Sequence, residues 1–330
     1  MRRMTRSIAA WVMTAGILLG FTAKAQQLPQ YTQFALNPFL FNPALSGTED
    51  FTYVQSGFRS QWTGFNGAPK TGYLTAHAPL NKKTIGYNQS EKKFAGETWM
   101  SLGGSFQHDQ AGPITQSSGL VSMAYNMPIA NHGWRFSIGA SVGYKSFSFD
   151  PEGFLDNVND LNDPLLQSAY NVGGMDLAAG VFVYNRNYFI GFSSFQLLEN
   201  GINNEEVSQG SPDNRLLRHY FAMVGLKIDI HRDLFVVPTL LVKSIPQLPT
   251  SFDVSAKFVY RENYWFGGSY RNQDALSAFA GLLIKNRLEV SYSYDLIISG
   301  IGNGAWGSNE ISLGYRLFIK KKALCPAQFW

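Results

Sequence analysis

The chain has 330 residues, with 27 Lys and Arg against 23 Asp and Glu, one cysteine and a slightly negative mean hydropathy. A bundle of membrane helices would be far more apolar, and a single cysteine excludes an internal disulfide. Aromatic residues make up 15% of the chain and glycines number 32, a combination that suits a barrel with a lipid face and aromatic girdles better than a water-soluble sandwich.

Residues 1–25 are predicted to be a secretory signal peptide. Arg2 and Arg3 open a positive region, residues 8–21 are mostly apolar, and Ala23-Lys24-Ala25 has the small-x-small form of a cleavage site. An uncleaved membrane helix is the weaker alternative, because the apolar part is short and ends at the cleavage motif. The segment holds four basic and no acidic residues, so the mature chain, beginning at Gln26, carries 23 of each sign. A neutral mature chain gives no reason to expect nucleic-acid binding.

Residues 26–50 are predicted to form a plug-like or periplasmic segment ahead of the first strand. Within residues 33–47 stand two Asn-Pro units, Asn37-Pro38 and Asn42-Pro43. Each proline fixes its own φ and biases the residue before it toward an extended shape, which excludes a helix. The segment is apolar but too broken for a lipid-facing strand. It is expected either to fold into the barrel mouth or to dock on its periplasmic rim.

Residues 51–318 are predicted to form an all-β, transmembrane outer-membrane β-barrel of about 14 antiparallel strands. In residues 288–295, for example, Val290, Tyr292 and Tyr294 alternate with serines and Asp295. A period of two describes a strand with one apolar and one polar face, and charges on the polar face suit a wet lumen. The predicted strands are 51–59, 71–79, 99–108, 116–127, 134–149, 175–185, 188–196, 219–230, 234–243, 252–260, 264–271, 275–284, 288–295 and 310–318.

The lengths of the connections predict the orientation of the barrel. If the first strand runs outward, the short turns at 185–187, 231–233, 261–263 and 285–287 are periplasmic and the long loops at 150–174, 197–218 and 296–309 lie outside. The connection 80–97, with Lys82, Lys83, Lys92 and Lys93, is long yet periplasmic; it is either a solvated loop or a docking surface for a periplasmic partner. The tail 319–330 is expected in the periplasm. The alternative architecture is a secreted β-sandwich with Greek-key connections. The short turns between consecutive strands favour an up-and-down meander instead.

No catalytic, metal or cofactor site is predicted. The five histidines have no metal-binding spacing. His108 and Asp109 are neighbours on one strand and should point to opposite faces, so they do not form a dyad. Residues 156–163 are rich in oxygen ligands but lack the central glycine of an EF-hand, leaving a plain surface loop or an incidental calcium site as alternatives.

The ordered motifs of the chain resemble the PorP/SprF family of the type IX secretion and gliding machinery of Bacteroidetes. The resemblance is carried by residues 33–47, by Arg59-x-Gln61-Trp62-x-Gly64-x-x-Gly67-Ala68-Pro69-x-Thr71, and by residues 265–271, 292–295 and 307–311. The glycines, Pro69 and Trp62 of the second motif also predict a structured outer turn. The candidate structural or docking residues are Asn37, Pro38, Asn42, Pro43, Gly47, Arg59, Gln61, Trp62, Gly64, Gly67 and Pro69.

The resemblance implies a lipid-embedded outer-membrane protein without enzymatic activity or cofactor. Its expected partners are periplasmic and outer-membrane components of the type IX system, and secreted cargo such as gliding adhesins. The main alternative is an outer-membrane diffusion channel or small-molecule transporter, because about fourteen strands lie between the filled barrels of eight and the water channels of 16 to 18. An outer-membrane hydrolase is a third possibility, which would depend on His108 or His231.

Overall fold

The fold is built almost entirely from strands. A computed structural model describes residues 34–82, 97–129, 133–151, 170–201, 215–299 and 306–319. The strands are β1 (Thr52–Ser60), β2 (Lys70–Pro79), β3 (Trp99–Ala111), β4 (Ile114–Pro128), β5 (Arg135–Phe149), β6 (Tyr170–Tyr184), β7 (Tyr188–Phe195), β8 (His219–Leu226), β9 (Ile228–His231), β10 (Leu234–Ser244), β11 (Ser251–Tyr260), β12 (Tyr264–Arg271), β13 (Ala275–Ile284), β14 (Leu288–Ile297) and β15 (Ser308–Leu317). Two short 3-10 helices, η1 (Pro38–Leu40) and η2 (Pro43–Leu45), precede them. Within these ranges no helix is long and apolar enough to cross a membrane.

The strands close into one antiparallel barrel. Apart from β8 and β9, each strand pairs with the next along the chain, and β15 pairs with β1 from Thr52 opposite Leu317 to Ser60 opposite Asn309. Strands β8 and β9, separated by Lys227, both pair with β10 and together form one strand of the wall. The wall therefore has fourteen strands, and the predicted barrel is confirmed.

The side chains of the wall are arranged inside out relative to a soluble protein. On β5, Ile138 and Val142 are 50% and 45% exposed, whereas Ser137 and Ser141 are buried. On β14, Tyr292 and Tyr294 face outward and Asp295 is buried. The predicted alternation is thus present, with its apolar face turned to the membrane. The polar face differs from the predicted wet lumen, because its charged residues lie buried in ion pairs or against the N-terminal segment.

Strand β6 begins five residues earlier than predicted. Residues 170–174 fall within the loop predicted at 150–174. In the structure Gly173 pairs with Ser146 and Gly174 with Lys145 of β5. Pairing along a long neighbour overrides the low strand preference of glycine. Strands β3 to β6 consequently have 13 to 15 residues, more than the 9 to 11 that span a bilayer.

The connections alternate between the two ends of the barrel. The four short turns predicted at one end do lie together, because each joins an even-numbered strand of the fourteen-stranded wall to the next, and such turns of an antiparallel meander share one end. At the other end, the connections Gly112-Pro113 and 272–274 are equally short. The length of the connections therefore distinguishes the two ends of the barrel less clearly than the sequence indicated. Which end faces the periplasm stays a prediction. We call the end with the four short turns the short-turn end and the opposite one the loop end.

Candidate functional site

The lumen is occupied by the protein's own N-terminal segment. Every residue from Phe34 to Asp50 is buried, and the partners of this segment are inward-facing residues of β2, β3, β5, β6 and β7. Of the two predicted positions, mouth and rim, the structure favours the inside of the barrel. We call residues 34–50 the plug.

The two Asn-Pro units shape the plug. Pro38 and Pro43 each begin a 3-10 helix, where the missing N–H of proline costs nothing. Asn42 caps η2, since its Oδ1 accepts from the Ala44 N–H at 2.9 Å, and its Nδ2 donates to the Val181 carbonyl at 3.0 Å. Asn37 forms no cap; its Nδ2 donates to Thr75 Oγ1 at 3.1 Å. Each unit therefore bends the chain and also ties it to the wall.

Side chains of the wall satisfy the irregular backbone of the plug. The hydroxyl of Ser137 donates to the Ala44 carbonyl at 2.7 Å, and that of Ser101 donates to the Ser46 carbonyl at 2.7 Å. Ser193 donates in the same way to the Phe41 carbonyl. A buried backbone outside helices and sheets needs such partners. The inward-facing serines of the wall therefore supply the hydrogen-bond donors that the carbonyl groups of the plug need.

Small wall residues let the plug approach closely. A Cβ at Gly139 would lie 2.6 Å from the Ala44 Cα, and one at Gly103 would lie 2.7 Å from the Phe39 ring. Around these contacts the plug packs aromatic rings against the wall, with Phe41 edge-on to Phe221 at a centroid distance of 5.4 Å. The plug is therefore packed as a core, not loosely enclosed.

Gly47 is the sharp bend between η2 and the base of the plug. Its φ is +60°, a region that favours glycine, and a Cβ there would come within 2.9 Å of the Pro79 nitrogen. Its carbonyl accepts from Trp99 Nε1 at 2.9 Å. Both the conformation and the close approach require glycine at this predicted site position.

At the short-turn end, charged residues hold the base of the plug. Lys82 Nζ lies 2.6 Å from Asp50 Oδ1, and His77 Nδ1 lies 3.4 Å from Glu49 Oε2. Lys82 sits over the ring of Trp99, 4.2 Å from its centroid. All five side chains are buried.

Toward the loop end, buried ion pairs cross-link the wall from β10 to β1. Arg59 lies 2.6 Å from Asp295 and 3.3 Å from Glu310. Arg271 reaches Asp295 at 3.9 Å and Asp253 at 3.6 Å. The chain of alternating charges ends at Lys243, 2.7 Å from Asp253. We call these residues the ion chain. Arg59, a predicted site residue, is the cation at its β1 end and bridges Asp295 and Glu310.

The predicted outer turn is closed by hydrogen bonds and bound to the neighbouring loop. Gln61 N–H donates to the Pro69 carbonyl at 2.9 Å, and Gly112 N–H donates to the Gly67 carbonyl at 2.9 Å. Trp62 N–H donates to Ser308 Oγ at 3.1 Å. Gly64, at φ +98°, lies against Trp306, where a Cβ would be 2.8 Å from the ring.

The predicted site residues thus fall into two groups of five, and Arg59 of the ion chain lies apart from both. Asn37, Pro38, Asn42, Pro43 and Gly47 belong to the plug, whereas Gln61, Trp62, Gly64, Gly67 and Pro69 form the turn at the loop end. Sequence reasoning missed Trp99, Asp295 and Glu310 as parts of the site. Strand alternation marks the last two as inward-facing, but which charges meet depends on the pairing register.

The described residues bring no group of metal ligands together, and the neighbours His108 and Asp109 do not form a dyad. His108 Nδ1 bonds to Ser117 Oγ at 2.8 Å on β4, while Asp109 accepts from Thr71 at 2.5 Å on β2, so the two side chains diverge. In the described ranges no group of three His, Cys, Asp or Glu side chains is placed to hold a metal. The candidate calcium loop 156–163 and Cys325 lie outside those ranges.

Outward apolar side chains, a closed antiparallel wall and a filled interior define a transmembrane β-barrel of the outer-membrane kind. The model of the family described as type IX secretion system membrane protein PorP/SprF matches residues 23–315. The chain belongs to this family, as the resemblance of its motifs predicted. No curated protein matches the sequence.

Solved outer-membrane barrels show a distant likeness. Omp33 of Acinetobacter baumannii has 9% identity and a TM-score of 0.45, over 82% of this chain and 100% of that one. The translocator domain of the autotransporter NalP from Neisseria meningitidis has 11% identity and a TM-score of 0.42, over 94% and 98%. The toluene transporter TbuX of Ralstonia pickettii has 10% identity and a TM-score of 0.45, over 84% and 92%. The architecture rests on the strand pairing of this chain rather than on these likenesses.

Proposed function

We propose that the protein is a non-enzymatic outer-membrane component of the type IX secretion system that supports the export or surface anchoring of particular secreted proteins, such as gliding adhesins. Membership of the PorP/SprF family supports the assignment to the type IX secretion system. The observation that carries the non-conducting, docking role is the plug, buried from Phe34 to Asp50. Because a fixed internal segment occupies the lumen, other molecules would bind at the two ends of the barrel and not inside it.

The alternative of a diffusion channel or small-molecule transporter is less consistent with that interior. A channel requires a continuous polar path, whereas here Phe39, Phe41 and Leu45 are buried in the lumen and the ion chain crosses half of the wall. A fourteen-stranded wall conducts only if its centre is left to water. The plug takes up that space.

The proposal is tested by comparing secreted and surface proteins of a strain lacking the gene with those of the same strain complemented. We expect a limited set of exported proteins to disappear from the surface and to return with the wild-type gene. Complementation with Val290→Ala, a change on the membrane face, is the matched control and should restore export. An unchanged set of secreted proteins, together with steady and substrate-selective conductance of the purified barrel, would establish the channel instead.

A further inference from the structure

Strand β9, at the short-turn end, is paired along one side only. Its four residues, Ile228–His231, pair with the first three residues of β10. On the other side, β7 begins at Tyr188, opposite Leu226, so β9 extends beyond the turn between β6 and β7. Among the described residues, no second strand pairs with β9. We call this unpaired side the β9 edge; such an edge presents a row of backbone N–H and C=O groups.

A break in the strand ladder separates β9 from the rest of the wall. Pro238 of β10 lies between the residues that pair with β8 and those that pair with β9. Proline has no N–H to donate to a neighbouring strand. In the corresponding stretch of the other strand, the Lys227 N–H donates instead to the Asn187 carbonyl at 2.7 Å. The β9 edge therefore begins at Ile228, just past this contact with the turn.

The β9 edge is held in place from behind. Strand β10 pairs with β11 from Leu234 to Lys243. The turn that follows β9 is bound to the next turn, because the Arg261 N–H donates to the Asp233 carbonyl at 2.7 Å. The hairpin of β9 and β10 is thus fixed in an extended shape before anything binds, and a binding partner does not pay to order it.

The side chains of β9 favour contact with another chain. Ile228 and Ile230 are 45% and 54% exposed and, at alternate positions of a strand, share one face. Between them, the Asp229 carboxylate lies 3.3 Å from Lys227 Nζ, so its charge is balanced. Unbalanced charges are a common means by which natural edge strands repel other strands. The β9 edge has little of that protection.

The β9 edge also lies beside the aromatic belt of the short-turn end. Tyr188, Tyr260 and Tyr264 project outward at this end, as the interface girdle of a membrane barrel does. Leu234 of β10 pairs with His231 on one side and with Tyr260 on the other. Unpaired backbone groups become costly where water gives way to hydrocarbon. A strand that pairs with the edge would satisfy them.

We propose that the β9 edge is a docking site for an extended segment of a second protein, which joins the barrel wall as an additional β-strand. Only an extended backbone matches the spacing of the N–H and C=O groups of a strand edge. In this mode of binding the backbone hydrogen bonds provide affinity and alternate side chains provide specificity. The segment therefore carries apolar residues at alternate positions, beside Ile228 and Ile230. The inference does not depend on the secretion role.

The test uses a synthetic peptide of alternating Thr and Ile with a lysine at each end, added to the purified full-length protein in detergent. We expect amide hydrogen exchange of residues 228–231 to slow at least about tenfold at saturating peptide, since paired amides exchange only when the pairing opens. The same peptide with every amide N-methylated offers no N–H and should leave exchange unchanged.

A charge on the edge separates strand pairing from general binding to the membrane face. Ile230→Lys should raise the peptide concentration that gives half of the effect at least about tenfold, because an edge charge opposes pairing. Leu282→Lys is the matched control, since Leu282 is exposed at the same end but pairs with Tyr264 on one side and Val290 on the other. It should bind the peptide as wild type does. Heat-modifiable migration on gels verifies that both variants are folded barrels.

Exchange in isolated outer membranes tests whether a partner occupies the edge. We expect residues 228–231 to exchange more slowly there than in the purified protein, and Ile230→Lys to remove the difference. The proposal is overturned if the peptide gives no protection, if the N-methylated peptide protects equally, or if native membranes give no added protection. A purified protein that is dimeric by light scattering and becomes monomeric with Ile230→Lys would also overturn it, because a second copy would then occupy the edge.

Discussion

At the residue scale, the charge of some inward-facing residues and the small size of others determine how the interior packs. Arg59 is 1% exposed and neutralises two carboxylates that belong to different strands. Gly139 is needed for its small size, because a larger side chain would occupy the space of the η2 backbone. Polar residues in this wall are thus selected for pairing with each other or with the plug, and not for contact with bulk water.

Arg59→Ala is expected to destabilise the barrel by about 3–5 kcal/mol, because Asp295 and Glu310 would both remain buried after losing the Arg59 guanidinium. Urea unfolding followed by heat-modifiable gel migration measures this loss. Arg287→Ala, in an exposed short turn, is the control and should change stability by less than about 0.5 kcal/mol. Equal stability of the two variants would mean that the ion chain contributes little.

Gly139→Ala is expected to loosen the plug, since the new methyl group would lie 2.6 Å from the Ala44 Cα. Overpacking of this kind costs about 1–3 kcal/mol, and faster amide exchange in residues 34–50 is its readout. Gly72→Ala is the matched control, because a Cβ at Gly72 meets nothing within 4 Å. Identical exchange in both variants would contradict the close packing of η2 against β5.

At the element scale, the plug and the outer turn are the irregular parts that the strands position. Strand existence was predictable because apolar and polar residues alternate within each strand, as in β5 and β14. The start of β6 was not predictable, since Gly173 and Gly174 carry no side-chain pattern. The prolines excluded a regular α-helix or strand over residues 37–43, but they did not predict the two short 3-10 helices that begin at Pro38 and Pro43. The choice between mouth and rim needed the inward serines, which only closure of the barrel brings together.

Asn42→Ala is expected to impair plug seating and partner binding more than Val290→Ala does. The variant loses the cap on Ala44 and the bond to the Val181 carbonyl, together worth about 1–3 kcal/mol. Trp62→Ala should likewise impair assembly or binding through the outer turn. Expression, heat-modifiability and export of cargo are compared for the three variants. Equal behaviour of all three would remove the case for these motifs.

Removal of residues 34–46 is expected to turn the closed barrel into a conducting one. A fourteen-stranded wall emptied of its plug should hold water, since its size lies between filled and channel-forming barrels. Ion conductance of the folded variant in planar bilayers measures the change, with full-length protein as the control. A truncated barrel that folds and stays closed would show that the wall side chains alone seal the lumen.

At the scale of the whole molecule, the barrel joins a membrane-facing wall to an interior that is occupied by a segment of its own chain. The ion chain cross-links the wall toward the loop end, the pair of Lys82 and Asp50 holds the base of the plug at the short-turn end, and the plug lies inside the barrel. Such a molecule is suited to presenting fixed surfaces on both sides of a membrane. The chain belongs to a family of type IX secretion system membrane proteins.

The central claim is that this sealed barrel acts by binding other proteins of the secretion system. The most direct measurement is a pull-down of the affinity-tagged full-length protein from solubilised outer membrane, with an unrelated tagged barrel as control. We expect type IX components and a small set of secreted proteins to co-purify with this protein alone. Recovery of the barrel without them, from cells that are actively secreting, would contradict the account.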